Sequence, residues 1–314
     1  MIAVQSLYTR NNMHDIIIVG AGPAGLTAAI YALRADKNVL IFERGAFGGQ
    51  MTYSPKIENF PGTVSASGTE LADKLVEQVI NLGGEFELGE VTAIKDNGNA
   101  KTVVADCGEY EAKAVIIANG VKHRMLGLEG EEALIGEGIS FCAVCDGAFY
   151  KNKDVAVIGG GNSALQEAVL LSDVAKSVTI VQNLSKLTGE GRLQNAVSEK
   201  NNIKVITDTV VTEYLTDSGA LNGIKIKNTV SGETSDLTVD GVFVAIGLIP
   251  ENDIFGELAK LNERGYFDSG EDCTTATAGV FVAGDCRAKR IRQVTTACAD
   301  GAVAALAACE YLDK

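Results

Sequence analysis

Two cysteines separated by two residues stand out among the side chains that could do chemistry, in the run Phe141-Cys142-Ala143-Val144-Cys145-Asp146-Gly147. Such a pair can close a small disulfide and reopen it. The spacing lowers the pKa of one thiol, and the thiolate is the nucleophile of exchange. An acid, Asp146, directly follows the pair. The competing use of C-x-x-C is half of a zinc site, which normally needs four ligands. The only histidines are His14 and His123, and the other cysteines, Cys107, Cys273, Cys286, Cys298 and Cys309, have no ligand spacing. The pattern therefore favours a redox pair, with Cys142, Cys145 and Asp146 as the catalytic residues and no metal.

Two glycine-rich turns flank this pair and would position it. Asp15-Ile16-Ile17-Ile18-Val19 is a short β-branched run suited to a buried parallel strand, and Gly20-Ala21-Gly22-Pro23-Ala24-Gly25 follows it. This is G-x-G-x-x-G. The first glycine allows the tight turn, the second admits a pyrophosphate, and the third lets helix pack on strand. The helix beginning there, through Leu33, offers free N–H groups to phosphates. A second strand, Val39 to Phe42, ends at Glu43, an acid about 20 residues into the unit, the usual place for a ribose-binding carboxylate. After the cysteine pair, Val155 to Ile158 and Gly159-Gly160-Gly161-Asn162-Ser163-Ala164 repeat the design as G-x-G-x-x-A, with a helix to Leu171 and a strand Val178 to Val181.

The remaining chain reads as support. Gly48 to Thr52 and Glu58 to Gly62 are turn-rich, and the reading places them in a loop along a cofactor. Residues 69–82 carry Leu71, Leu75, Val79 and Leu82 on one helical face. Short strands fill 85–118 around an Asp96-Asn97-Gly98-Asn99 turn, and 203–246 reads as a strand meander. Gly279 to Asp285 is a last buried strand ending in an acid, and an alanine-rich helix runs from Val294 to Tyr311.

A chain of 314 residues suffices for about two domains. No apolar run reaches the ~18 residues of a membrane span, so no membrane partner is expected. Residues 1–12 do not read as a secretory signal and are expected to be a tail. Seven cysteines in a chain of this size fit a cytoplasmic thiol protein better than a secreted disulfide scaffold. A net charge of −14 argues against a nucleic-acid partner.

Taken together, the chain resembles the low-molecular-weight thioredoxin reductases over nearly its whole length. The resemblance is carried by Gly20 to Gly25, Gly48-Gly49-Gln50, Glu58 to Gly62, Cys142 to Gly147, Ala245-Ile246-Gly247 with Pro250, and Gly279 to Asp285 followed by Arg292-Gln293. It implies an α/β fold of two Rossmann-like three-layer domains, an FAD domain split by an inserted NAD(P)H-like domain that carries the C-x-x-C. The FAD domain would occupy 1–120 and 247–314, and the insert 121–246. Against FAD the resemblance places Gly20, Gly22, Pro23, Ala24, Gly25, Glu43, Arg44, Gly49, Gln50, Asn59, Ala118, Asn119, Gly120, Gly284, Asp285, Arg292, Gln293 and Val294. It implies a homodimer that passes electrons from flavin to the dithiol and on to a thioredoxin-like protein.

One departure bears on the electron donor. Members using NADPH hold its 2′-phosphate with arginines after the second strand of the insert. Here that stretch is Val181-Gln182-Asn183-Leu184-Ser185-Lys186-Leu187-Thr188, with no arginine. Losing two charge-assisted hydrogen bonds costs about 3–6 kcal/mol. No acid ends the strand to favour NADH, and Leu248 stands where the family often has His. The pattern is similar to the ferredoxin-dependent flavin thioredoxin reductases, so reduced ferredoxin is the expected donor. The fall from about −400 mV to about −270 mV releases roughly 6 kcal/mol over two electrons. The alternatives are a conventional NADPH-dependent thioredoxin reductase, a flavin dithiol oxidase and a redox sensor.

Overall fold

Short apolar strands buried at nearly every position build two mainly parallel sheets, each packed on both faces. The computed structural model describes residues 13–54 and 57–314; the tail expected at 1–12 lies outside the described residues. In chain order the elements begin β1 (His14–Val19), α1 (Pro23–Arg34), β2 (Val39–Glu43), α2 (Gly68–Asn81), β3 (Glu85–Leu88), β4 (Val91–Asp96), β5 (Lys101–Ala105) and β6 (Gly108–Ile117). There follow β7 (Lys122–His123), β8 (Ile139–Ser140), α3 (Ala143–Asp146), β9 (Asp154–Ile158), α4 (Asn162–Ser172), β10 (Ser177–Val181) and α5 (Gly191–Ser198). The chain ends with β11 (Ile203–Ile206), β12 (Thr209–Asp217), β13 (Ala220–Asn228), β14 (Thr234–Thr238), β15 (Gly241–Val244), β16 (Leu248–Ile249), β17 (Val280–Val282) and α6 (Val294–Leu312). No helix among the described residues is long and apolar enough to cross a membrane.

The chain divides into two units. The first comprises the chain through Met51, Glu70–Val121 and Pro250–Lys314; the second comprises Thr52–Thr69 and Lys122–Ile249. In the first, a seven-stranded sheet runs β3-β2-β1-β6-β5-β4, with β17 parallel to β6. Strands β3, β2, β1 and β6 are mutually parallel, whereas β4 and β5 are antiparallel additions. Ile16 and Ile18 point into one core with α1 and α6, and Ile17 and Val19 point into the other. That is the two-residue period of a strand covered on both faces. The alanine content of α6 has a steric cause. A Cβ on Gly301 would lie 2.1 Å from the Ala24 carbonyl of α1, so the two helices meet backbone to backbone.

In the second unit a parallel sheet runs β11-β10-β9-β15-β8, accompanied by a three-stranded antiparallel sheet β12-β13-β14. The meander expected over 203–246 is thus corrected. Only its middle, β12 to β14, is an antiparallel meander. Strand β15, Gly241-Val242-Phe243-Val244, is buried at every position and inserts beside β9, as a fully apolar strand must. The glycine-turn elements form close to their expected places, at α1 and α4.

Candidate functional site

The redox pair begins where β8 gives way to α3. Cys142 is the N-cap of this short helix and Cys145 lies within it, so the spacing puts both sulfurs on one side of a single turn. They form a disulfide, with Cα atoms 5.3 Å apart. The Cys145 backbone N–H donates to Cys142 Sγ at 3.2 Å. A donor aimed at a sulfur favours negative charge there.

Asp146, at the end of α3, is buried. Ser140 Oγ donates to its Oδ2 at 2.6 Å, and Ser54 Oγ donates to its Oδ1 at 3.2 Å. The Ser140 hydroxyl also accepts the Cys142 N–H at 3.1 Å, so one side chain ties the acid to the first cysteine. Burial raises the Asp146 pKa and outweighs the two hydroxyls, which act to lower it. The acid therefore holds its proton closer to neutrality than an exposed aspartate does. His123 stacks on Phe141 with ring centroids 4.5 Å apart, and burial lowers its pKa to about 4. It is neutral at physiological pH.

Ser54, Ser140 and a second carboxyl, Glu167 of α4, are absent from the sequence reading. Glu167 Oε2 is buried without a hydrogen-bond partner. Its pKa rises to about 8, through burial first and the Asp146 charge second. No spacing signal connects Ser54 to Asp146 across 92 residues. The alternating pattern of α4 gave Glu167 no distinction from a solvated helix position.

In the first unit several of the cofactor candidates, among them Gly20, Gly22, Glu43, Gly49 and Gly284, meet around the N-terminus of α1. Gly20 has φ +104°, and a Cβ there would lie 2.5 Å from the Ala118 carbonyl. A Cβ on Gly25 would lie 1.8 Å from the Gly20 carbonyl. Gly22, the N-cap before Pro23 and Ala24, faces open space, the approach a pyrophosphate requires. Gly49 packs against Gly22, with a Cβ position 3.3 Å from its Cα. Glu43 turns its carboxylate on the turn itself, accepting from the Ala21 N–H at 2.9 Å and the Gly45 N–H at 2.8 Å. Arg44 pairs with Glu90 and Glu251. Gln50 donates to the Val121 carbonyl, which follows Gly120.

Near this turn Asn119 Oδ1 and Asp285 Oδ1 are buried acceptors without a hydrogen-bond partner among the described residues. Gly284 brings Asp285 to α1, since a Cβ on it would meet that of Ala24 at 2.8 Å. Arg292 stacks over the Tyr266 ring at 4.5 Å. Gln293 caps α6 through a reciprocal bond with Thr296, and Val294 begins the helix. An open glycine N-cap with orphaned acceptors beside it fits a dinucleotide carrying a hydroxylated chain. Asn59 alone among the candidates lies in the second unit.

The second glycine turn differs in its cover. Gln182, the residue after β10, occupies the position that Glu43 holds at the end of β2. It lies on Gly160, where a Cβ would come within 2.5 Å of its carboxamide, and its Nε2 donates to the Lys186 carbonyl at 3.2 Å. The Gly160 carbonyl accepts from the Thr188 N–H at 2.8 Å and the Gly189 N–H at 3.0 Å. Arg192 is paired with Glu190.

The family profile described as "Pyridine nucleotide-disulphide oxidoreductase" matches residues 14–301. A protein named thioredoxin reductase from Listeria innocua is 42% identical over 306 residues, covering 98% of this chain and 96% of its own. One of the same name from Bacillus subtilis is 40% identical over 306 residues, covering 98% and 97%. The crystal structure of thioredoxin reductase from Streptococcus pyogenes superposes with a TM-score of 0.91 at 40% identity, covering 96% of this chain and 99% of that one.

Proposed function

Because the chain belongs to the low-molecular-weight thioredoxin reductases, within the pyridine nucleotide-disulphide oxidoreductase family, we propose that it reduces a thioredoxin-like protein through a Cys142–Cys145 dithiol supplied with electrons by FAD. The observation that carries this reading is the disulfide with Cys145 N–H on Cys142 Sγ and a buried, serine-held acid beside it. The residues around Gly22 and Asp285 would hold FAD, whose chemistry would supply the electron pair needed to open the disulfide. Cys142, as thiolate, attacks one sulfur of the partner disulfide and forms a mixed disulfide. Cys145 then attacks Cys142 Sγ, which closes the internal disulfide and expels the partner as a thiolate. The first partner sulfur released takes up the proton that Cys145 gives up on attacking, and Asp146 protonates the second as it departs and recovers its own proton from solvent. The partner gains two electrons and two protons. A homodimer in the cytoplasm belongs to the same reading, and sedimentation tests the dimer.

For the electron donor, the comparisons favour a pyridine nucleotide, NADPH in the conventional members, since relatives named thioredoxin reductase match this chain almost end to end. A specific observation favours a second reading, reduced ferredoxin. The loop after β10 offers no arginine for a 2′-phosphate, and its neutral Gln182 is bonded back to Lys186. Anaerobic mixing separates the two. Bleaching of the flavin by NADPH supports the first and eliminates the second. Bleaching by reduced ferredoxin but by neither NADPH nor NADH does the reverse.

A further inference from the structure

Asp285 sits within a knot of charges that the cofactor reading does not use. Asp300, on α6, directs Oδ2 at three donors: the Gly284 N–H at 3.0 Å, Arg287 Nη1 at 2.8 Å and Lys289 Nζ at 2.9 Å. Lys289 Nζ also reaches the Thr296 carbonyl at 3.4 Å, and it stands 4.0 Å from Asp285 Oδ1, the oxygen left without a hydrogen bond. Arg287 is itself buried and anchored on Ser269 and Gly270. Asp300 is thus neutralised by two cations, and Lys289 is the one whose charge also falls on Asp285.

We propose that Lys289 is a positioning residue of the cofactor site, bridging Asp300 to Asp285 and keeping the free Asp285 oxygen an ionised acceptor for a cofactor hydroxyl. The inference rests on the reading that the first unit binds FAD. The 4.0 Å separation suits this role. Lys289 is near enough to act through its charge and too far to consume the acceptor with a hydrogen bond. The groups acting on Asp285 are in balance. Burial raises its pKa to about 6, Lys289 and then Arg292 lower it, and Asp300 raises it. Removing the lysine leaves burial and Asp300 opposed by Arg292 alone. Arg292 is held by ring stacking on Tyr266 and a long bond, 3.5 Å, to the Asp285 carbonyl.

The test measures FAD affinity, not turnover, by fluorescence of released flavin from pH 5 to pH 8. Wild type should hold FAD at neutral pH and lose it on acidification. Lys289→Met should shift that loss upward by about one pH unit, which makes binding about tenfold weaker in the affected range. Lys289→Arg should restore the wild-type profile. In an Asp285→Asn background, where the group cannot titrate, Lys289→Met should add no pH-dependent loss. If Lys289→Met folds poorly, Lys289→Gln, which also removes the charge but keeps a polar side chain, takes its place in both backgrounds. Coincident profiles for wild type and Lys289→Met, or an Arg variant as impaired as Met, would overturn the inference. A wild-type protein that binds no FAD at all would instead overturn the cofactor reading beneath it.

Discussion

Replacing Glu167 with glutamine should make the protein more resistant to alkali. In the folded chain this carboxyl titrates at about 8 against an ordinary 4.5. Its folded pKa is raised, so the associated stability is fully present below 4.5 and is lost as pH rises through about 8. Over that interval the unfolded chain has released the proton and the folded chain has not, and stability falls with pH. At about 1.4 kcal/mol per pH unit, the rise from pH 5 to pH 8 sets a ceiling of about 4 kcal/mol. Water entering around the ionised carboxylate reduces the loss, to on the order of 2 kcal/mol. The neutral amide of Glu167→Gln keeps the shape and has no such slope. Urea unfolding of both proteins at pH 5 and pH 9, followed by circular dichroism, measures the difference directly. Wild type should lose stability relative to the variant by about 2–4 kcal/mol between the two pH values. Parallel behaviour of the two proteins would refute the claim that Glu167 is buried as a neutral acid beside Asp146.

Asp146→Asn should slow disulfide exchange with thioredoxin about 10²–10⁴-fold while flavin content stays unchanged, as read by stopped-flow mixing of reduced enzyme with oxidised partner. Ser140→Ala removes a hydroxyl donor worth about 1.5 kcal/mol to the ionised acid. Its loss should raise the Asp146 pKa further and move the alkaline limb of the exchange rate upward. An unmoved limb would mean that the 2.6 Å bond does not control this proton.

The parts of the fold governed by short-range rules were legible in the sequence. The strand–glycine–helix units at Gly20 and Gly159, the amphipathic α2 and the alanine-rich α6 depend on local period and turn chemistry, and they form where those rules put them. The meander over 203–246 was misread because period alone cannot assign a strand to a sheet. Val242 to Val244 could belong to a hairpin or a buried parallel strand, and only the partner β9 decides. At the site, the cysteine pair and its acid were legible because their spacing carries the chemistry. Ser54 and Ser140 were not, since a hydroxyl becomes a proton-holding partner only when distant chain segments meet. Glu43 illustrates the intermediate case. Its place at the end of β2 was readable, whereas its use in bonding the Ala21 and Gly45 N–H groups was not.

The central claim, that electrons leave through the Cys142–Cys145 dithiol, is tested most directly by counting thiols on the partner. Enzyme reduced anaerobically and freed of reductant is mixed with oxidised thioredoxin, and the new thioredoxin thiols are alkylated and counted by mass. Wild type should yield two thioredoxin thiols for each electron pair it stores, up to four per active site when flavin and dithiol are both reduced, and Cys142→Ser and Cys145→Ser should each yield no fully reduced thioredoxin while retaining their flavin. Two-thiol transfer by both single variants would contradict the account.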